Sequence, residues 1–258
     1  MKMKLLVCSL VLFFGCFDVL AQDIKLTADD RVEYHQKEQK LVAVGNALAA
    51  KGDMSIRANR LEGYYAPQNP NKISRVEAHQ NVKMKTSQAE AFGDLMIYDV
   101  KEDKAILRGN PARIKTPDAE ITSQGDITFY QTAMKAYSQN EVNAVDNRGN
   151  KVRADEMTAY FVKDAAGKMV LDKIDIAGNV KIVSTNATIT AQTGTYFAST
   201  GKVKLFEDIV ISQNGNVLKG AQAETDLNSG VSRILAGDKA RVSGVFKETK
   251  KTGSKEQK

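Results

Sequence analysis

The sequence predicts an all-β chain, an elongated antiparallel stack built from about seven repeats of roughly 30 residues. Three observations predict it. The motif Gly178-Asn179-Val180-Lys181-Ile182 has imperfect copies along the chain, with Asn or Asp at positions 46, 81, 110, 140, 179, 208 and 238, separated by 35, 29, 30, 39, 29 and 30 residues. Self-similarity at fixed spacing marks stacked units rather than one globular core. Between the copies run short apolar/polar alternations, rich in Val, Ile, Thr and Tyr and bounded by Gly, Asn or Asp, with no long stripe at helical spacing. In Asn81-Val82-Lys83-Met84 and Asn179-Val180-Lys181-Ile182 this alternation gives each strand one dry face and one lysine face in water, as in an antiparallel sheet solvated on one side.

Taken in order, residues 1–21 read as a secretory leader. Lys2 and Lys4 precede the apolar run Leu5 to Phe17, and Val19-Leu20-Ala21 offers a small-residue cleavage pattern before Gln22. That run, stopped by Asp18, is shorter than the roughly 20 apolar residues a membrane span needs. Residues 22–246 are expected to form one domain. Its first strand text, Lys25 to Tyr34, recurs in form at Ser55 to Tyr65 and at Lys151 to Phe161. Gly93 to Tyr98, Gly125 to Tyr130 and Ala191 to Tyr196 keep the grammar with one residue fewer, and Lys219 to Leu227 has lost its tyrosine. Each unit therefore reads as a strand, a Gly/Asp or Ala/Asp turn, a strand ending in Tyr, a polar turn, and a strand leading to the Gly-Asn element. Polar insertions at Pro67 to Lys72, Asp146 to Asn150 and Lys163 to Lys168 lengthen hairpin ends and account for the two long spacings. Residues 247–258 read as a basic, disordered tail.

The copies do not keep one register relative to their marker. Val82/Met84, Val180/Ile182 and Ile209/Ile211 follow it directly, whereas Val142/Ala144, Ala112/Ile114 and Ala240/Val242 sit one residue later. A one-residue shift flips the buried face, so a bulge or a second sheet is expected to absorb it.

Composition removes several function classes. Both cysteines, Cys8 and Cys16, lie in the leader, so the exported chain has no disulfide, thiolate nucleophile or cysteine metal site. Of the net charge of +6, the leader carries +1 and the tail +3, which leaves the body only +2, and no basic cluster is interleaved with aromatics, so no nucleic-acid partner is expected. His35 and His79 stand in separate repeats without metal-ligand spacing, and no nucleophile elbow, phosphate loop or zinc-protease motif occurs. The Gly-Asp pairs are assigned to turns, and the tyrosines Tyr34, Tyr64, Tyr65, Tyr98, Tyr130, Tyr160 and Tyr196 to packing at strand rims. Aromatics are 7 % of the chain and Trp is absent; medium aliphatics repeated down a long sheet suit a continuous groove, either self-filled or open to an apolar guest.

With Gly-Asn-Val-x-Ile following a strand that ends in Tyr, repeated behind an export signal, the chain resembles the LptA/OstA-like family of periplasmic lipopolysaccharide transport proteins. The resemblance runs from Ile24 to Phe246 and is strongest over Ile56 to Met84 and Gly93 to Ile114. It implies a twisted, open antiparallel β-jelly roll whose hydrophobic groove carries lipid A acyl chains while the sugars stay outside. The groove-facing, lipid-binding residues would be Val82, Met84, Ile97, Ile114, Ile127, Phe129, Val180, Ile182, Ile189, Leu205, Ile209 and Ile211. It implies no catalytic residue, metal or cofactor. The implied partners are lipopolysaccharide, held in the groove, and, met by edge-strand pairing, further copies joined head to tail, an inner-membrane anchored transport subunit and the N-terminal domain of an outer-membrane translocon. Two other readings remain open: a scaffold or membrane-anchored component of the same machinery, and a β-solenoid polysaccharide-processing enzyme, which would need clustered carboxylates or basic residues on one face.

Overall fold

In the computed structural model, residues 23–165, 167–185, 187–226, 231–237 and 241–246 are described. The expected leader, the expected tail and the last repeat marker at Asp238 lie outside the described residues, as does Ala240. The strands are β1 (Lys25–Thr27), β2 (Arg31–His35), β3 (Lys40–Lys51), β4 (Met54–Ala66), β5 (Asn69–Lys85) and β6 (Glu90–Asp99). Then follow β7 (Lys104–Arg108), β8 (Ala112–Lys115), β9 (Ala119–Ser123), β10 (Ile127–Tyr130), β11 (Lys135–Asp146) and β12 (Lys151–Lys163). The chain ends through β13 (Met169–Val183), β14 (Ala187–Phe197), β15 (Lys202–Gln213), β16 (Asn216–Asp226), β17 (Val231–Leu235) and β18 (Ser243–Val245). There is no helix among the described residues, and all pairings are antiparallel.

Most of these strands are bent in the middle. β3 pairs with β2 through Lys40 to Val44 and with β1 through Leu48 to Ala50, so its two halves belong to two arms of the sheet. β6 does the same with β7 and β8, β11 with β10 and β9, and β16 with β17 and β18. The segments β1/β2, β7/β8, β9/β10 and β17/β18 are thus four bent strands interrupted at the bend, and the 18 segments make fourteen bent strands. Each pairs only with its neighbours in sequence. The result is a V-shaped meander, the open jelly roll, and fourteen strands are the seven repeats: one repeat is one bent hairpin.

The repeat marker is the bend itself. Gly45-Asn46, Gln80-Asn81, Asn140-Glu141, Gly178-Asn179 and Glu207-Asp208 all carry two successive residues with positive φ. In β7/β8 the corner is made at the cis bond Asn110–Pro111 instead. Across each pair the ladder skips: on β3 two residues lie between Val44 and Ala47, while on β4 only Asn59 lies between Arg60 and Ala58. Two residues against one is a bulge, and two left-handed residues turn the strand through it. The marker does not end the strand, which continues through a corner. The Gly-Asp and Ala-Asp elements are likewise not turns. They lie in the neighbouring strand and brace the corner: the Asn179 side-chain amide donates to Asp155 at 2.8 Å, Asn46 to Asp29 at 3.2 Å and Asn81 to Asn59 at 3.1 Å.

This geometry also removes the expected register shift. The second left-handed residue is Asn46, Asn81, Asn179 or Asp208 in four copies but Glu141 in the fifth, so the marker Asn140 is the first of its pair. Counted from the corner, Val82, Ala112, Val142, Val180 and Ile209 are equivalent, and the faces agree throughout. One inward row can be followed across the second arm: Leu26, Ala49, Ile56, Met84, Ala91, Ile114, Ile121, Ala144, Val152, Ile182, Ile189, Ile211 and Leu218 are successive cross-strand partners. The hairpin ends of this arm share a local device. Thr86 and Thr116 accept backbone N–H groups two and three residues on through Oγ1 and close on Ala89 and Ala119. Ser184 closes on Ala187 in the same way.

Gly178 shows what the corner demands. Its φ is +75°, and a Cβ there would stand 2.4 Å from the Asp155 carboxylate. Gly149 shares the positive φ but faces open space. Gly178→Ala is therefore expected to cost about 2–3 kcal/mol, against about 1 kcal/mol for Gly149→Ala, in paired denaturant melts. Equal losses at the two sites would show that the corner is not tightly packed.

Candidate functional site

The concave side of the V is the candidate site, and its shape follows from residue size. At the crease small residues oppose medium ones: Gly93 faces Val82, Ala154 faces Val142, Ala191 faces Val180 and Gly220 faces Ile209. Val82, Val142, Ala154, Val180, Ala191 and Ile209 are all buried, so the arms close against each other here. Further out the side chains lengthen and the arms part. On the first arm Leu61, Met96, Leu107 and Ile127 lie in one inward row, and Tyr98, Phe129 and Tyr196 in the next.

Among the described residues, two apolar cavities lie between the arms. One of about 160 Å³ opens at the N-terminal end, lined by Ile24, Leu26, Leu41, Met54, Ile56 and Tyr65 among others. A second of about 70 Å³ lies under Ile114, Ile121, Ile127, Ala144, Met157 and Ile174. The first matches the size of a cavity that admits a benzene-sized guest; a longer chain must part side chains. The core forms two clusters, one around Met84, Met96 and Phe129 and one around Val180, Leu205 and Ile209, and Ile174 and Tyr196 pack against both. Ser123 and Ser138 interrupt the apolar lining. Ser123 Oγ donates to the Gln139 carbonyl at 2.9 Å and accepts from Gly125 N–H at 3.1 Å and Ser138 Oγ at 2.7 Å, so this polar spot is internally satisfied.

Of the twelve residues singled out from sequence, Val82, Met84, Ile114, Ile127, Phe129, Val180, Leu205, Ile209 and Ile211 are buried on the inner face. Ile182 and Ile189 are half-buried against the second cluster. Ile97 is a correction: its neighbours Met96 and Tyr98 point inward, so Ile97 stands on the outer face beside Glu77 and Ile106. In the unbroken apolar run Leu95-Met96-Ile97-Tyr98 alternation gives no parity, and only the cross-strand register decides. Leu107, Met157, Ile174 and Ile176 were missed for the same reason or for lack of a marker. Phe161, Met169 and Leu171, from the extended end of the β12–β13 hairpin, also join the first cluster, with Phe161 6.2 Å from Phe129.

The tyrosines divide by face. Tyr98 and Tyr196 point inward, while Tyr64, Tyr130 and Tyr160 lie outside under Lys40, Lys135 and Lys173 at 5.2, 5.2 and 4.4 Å. The outer face of the first arm is a mesh of compensated charge. Burial pushes the Glu62 carboxyl up, but Lys40 at 2.7 Å, Tyr64 at 2.6 Å and Arg60 at 2.5 Å hold it down, to about 2 against the ordinary 4.5. Glu77 is engaged by Arg75 at 2.6 Å and His79 at 3.0 Å, and Glu33 by Arg31 at 2.6 Å and His35 at 3.0 Å. Glu62, Glu77 and His79 bring ligand-type atoms within 4.8 Å of one another, yet each carboxylate already serves a cation. Most of these contacts join residues two apart on one strand, the histidines' among them, while Lys40–Glu62 and Arg75–Asp99 tie neighbouring strands.

Because the folded Glu62 pKa is depressed, its contribution is present above pH 4.5 and is lost as pH falls toward 2. Glu62→Gln should cost roughly 2 kcal/mol at pH 7 and flatten the acid limb of the stability curve between those values. An unchanged acid limb would remove Glu62 as its source.

Compared with known proteins, residues 25–135 match the family model described as LptA/(LptD N-terminal domain) LPS transport protein. Among solved structures the chain is similar to LptH, the LptA-homologous periplasmic component of the lipopolysaccharide transport device of Pseudomonas aeruginosa. The identity is 12 %, covering 88 % of this chain and 96 % of that one, with a TM-score of 0.23. No curated protein matches.

Proposed function

We propose that this LptA-like chain is a periplasmic carrier that holds lipopolysaccharide by its lipid A acyl chains between the two arms and passes it from the inner toward the outer membrane. The observation that carries the reading is the inward apolar row that crosses the second arm, strand after strand, opposite a second apolar wall. A buried methylene gains about 0.8 kcal/mol, so such a trough holds an acyl chain without a covalent step. The family match over residues 25–135 points to the same cargo. Transport of this kind needs no bond-making chemistry in the chain.

Photo-crosslinkers at Val82, Ile127 or Ile182 should capture lipopolysaccharide in cells, and those at Lys104 or Lys135, on the outer face of the first arm, should not. Capture from the lysine positions alone would sink the groove assignment.

The ends of the meander support assembly into a longer conduit, with further copies, a membrane-anchored subunit or a translocon domain adding as strands. Tyr34 at the first edge is 56 % exposed and Phe246 at the last is 70 % exposed, with Val32, Val231, Leu235 and Val245 beside them. Fourteen strands is an even number, so the last strand of one copy runs opposite to the first strand of the next and continues the antiparallel order. Aligning the inward rows sets Ile234 opposite Val32 and, on the outer face, Arg233 opposite Glu33. Glu33→Arg or Arg233→Glu alone should weaken self-association about tenfold in sedimentation velocity, and the double exchange should restore most of it. No recovery in the double variant would reject this register.

A further inference from the structure

The two outer faces carry charge differently. On the first arm Glu33, Glu62, Glu77, Asp99, Asp175 and Glu224 are each met by a cation. On the second arm Arg57, Lys83, Arg113, Arg153, Lys181 and Lys219 lie in a single register row interspersed with Phe92, Thr122, Asn143, Thr190 and Val210. Nearer the hairpin ends, Lys85, Lys115 and Lys151 line the rim of the same arm. The acids there are few: Glu90 reaches Lys83 and Lys85, Glu120 reaches Arg113, and Glu141 reaches Arg153.

This cationic row runs one residue away from the inward apolar row on the same strands, so an apolar track and a cationic track follow one another along the roll. At about 4.8 Å per strand the row advances in steps that small anionic groups can follow. Sheet twist winds it around the long axis, so a flat bilayer would meet only part of it, whereas an amphiphile seated between the arms has both tracks beside it at every point.

We propose that the outer face of the second arm guides the phosphate-bearing head of the lipid whose chains lie between the arms. The proposal rests on the groove reading above. The apolar chains enter the V, the saccharide leaves at the mouth and folds over the second arm, and Lys115, Lys151 and Lys181 receive its phosphates as point charges. Phosphates then add affinity and hold the amphiphile to one side of the mouth.

The test compares Lys115→Glu/Lys151→Glu/Lys181→Glu with the control Lys104→Glu/Lys135→Glu/Lys204→Glu on the first arm, which changes net charge equally. The probes are lipopolysaccharide and the same lipopolysaccharide stripped of phosphate, in equilibrium binding at low and high salt. The second-arm variant should lose about tenfold or more in affinity for the phosphorylated form, together with most of its salt dependence, and keep its affinity for the stripped form. The control should bind both as the native chain does. Equal affinity of variant and native chain for the phosphorylated form overturns the proposal, as does an equal loss for both forms, which would report damage to the groove. A row-dependent retention on vesicles of phosphatidylglycerol and phosphatidylethanolamine, with lipopolysaccharide binding unchanged, assigns the row to a bilayer surface and also overturns it. If the native chain binds neither lipid, the groove reading fails and this proposal falls with it, whereas loss confined to the phosphorylated form cannot arise from failure of the groove.

Discussion

The structure depends on one backbone constraint: β3, β5, β11, β13 and β15 must each hold two consecutive residues in left-handed conformation at the midpoint. Such residues are costly outside Gly and Asn, of order 1 kcal/mol each, and persist only where the surroundings fix them. The Asn179–Asp155 and Asn46–Asp29 contacts supply that fixing on the convex side. On the concave side the pairing of small with medium residues at the crease leaves just enough room for the bend. Because all the corners fall at the same height, the bends align into one crease. The aligned crease divides a continuous ladder into two arms, and the space between the arms is the groove. Strand curvature, apolar lining and candidate site are thus consequences of one repeated pair of dihedral angles.

Much of this was legible in the sequence, and the illegible parts have a common cause. The Asn/Asp spacing gave the number of repeats, and the alternation after each marker placed Val82, Met84, Val180 and Ile209 on the correct face, because a polar residue separates apolar ones there. Parity vanished in the run Leu95 to Tyr98, where four apolar residues adjoin, and Ile97 went to the wrong side. The marker itself does not announce a corner, because Gly-Asn is equally at home in a hairpin loop and in a bulge; local chemistry is the same and only the continuing ladder tells them apart. The apparent register shift at Asn140 came from aligning copies by residue identity, when the conserved quantity is the pair of positive φ angles, which Glu141 adopts as well as Asn does. Phe161, Met169 and Leu171 had no repeat marker to announce them, since they lie in an overhang of one hairpin.

Polar groups in this fold have been sorted by arm. The first arm sets its carboxylates among lysines and arginines of the same and neighbouring strands, with buried Glu62 held ionised by three donors. The second arm leaves its cations less compensated. An antiparallel sheet wetted on one face is free to choose either pattern, since outer residues affect stability only weakly when exposed. The difference between the arms is therefore available for selection on binding rather than folding.

Pairing restricted to sequence neighbours has a further meaning for length. Inserting or removing one whole bent hairpin leaves both edge strands, their directions and the face of every other residue unchanged. The roll then grows or shrinks by two strand spacings, about 10 Å. A single strand added or lost would instead reverse one edge and spoil its fit to the next copy. The architecture behaves as a ruler graduated in hairpins, on which evolution can set the reach of one polypeptide without redesigning its ends.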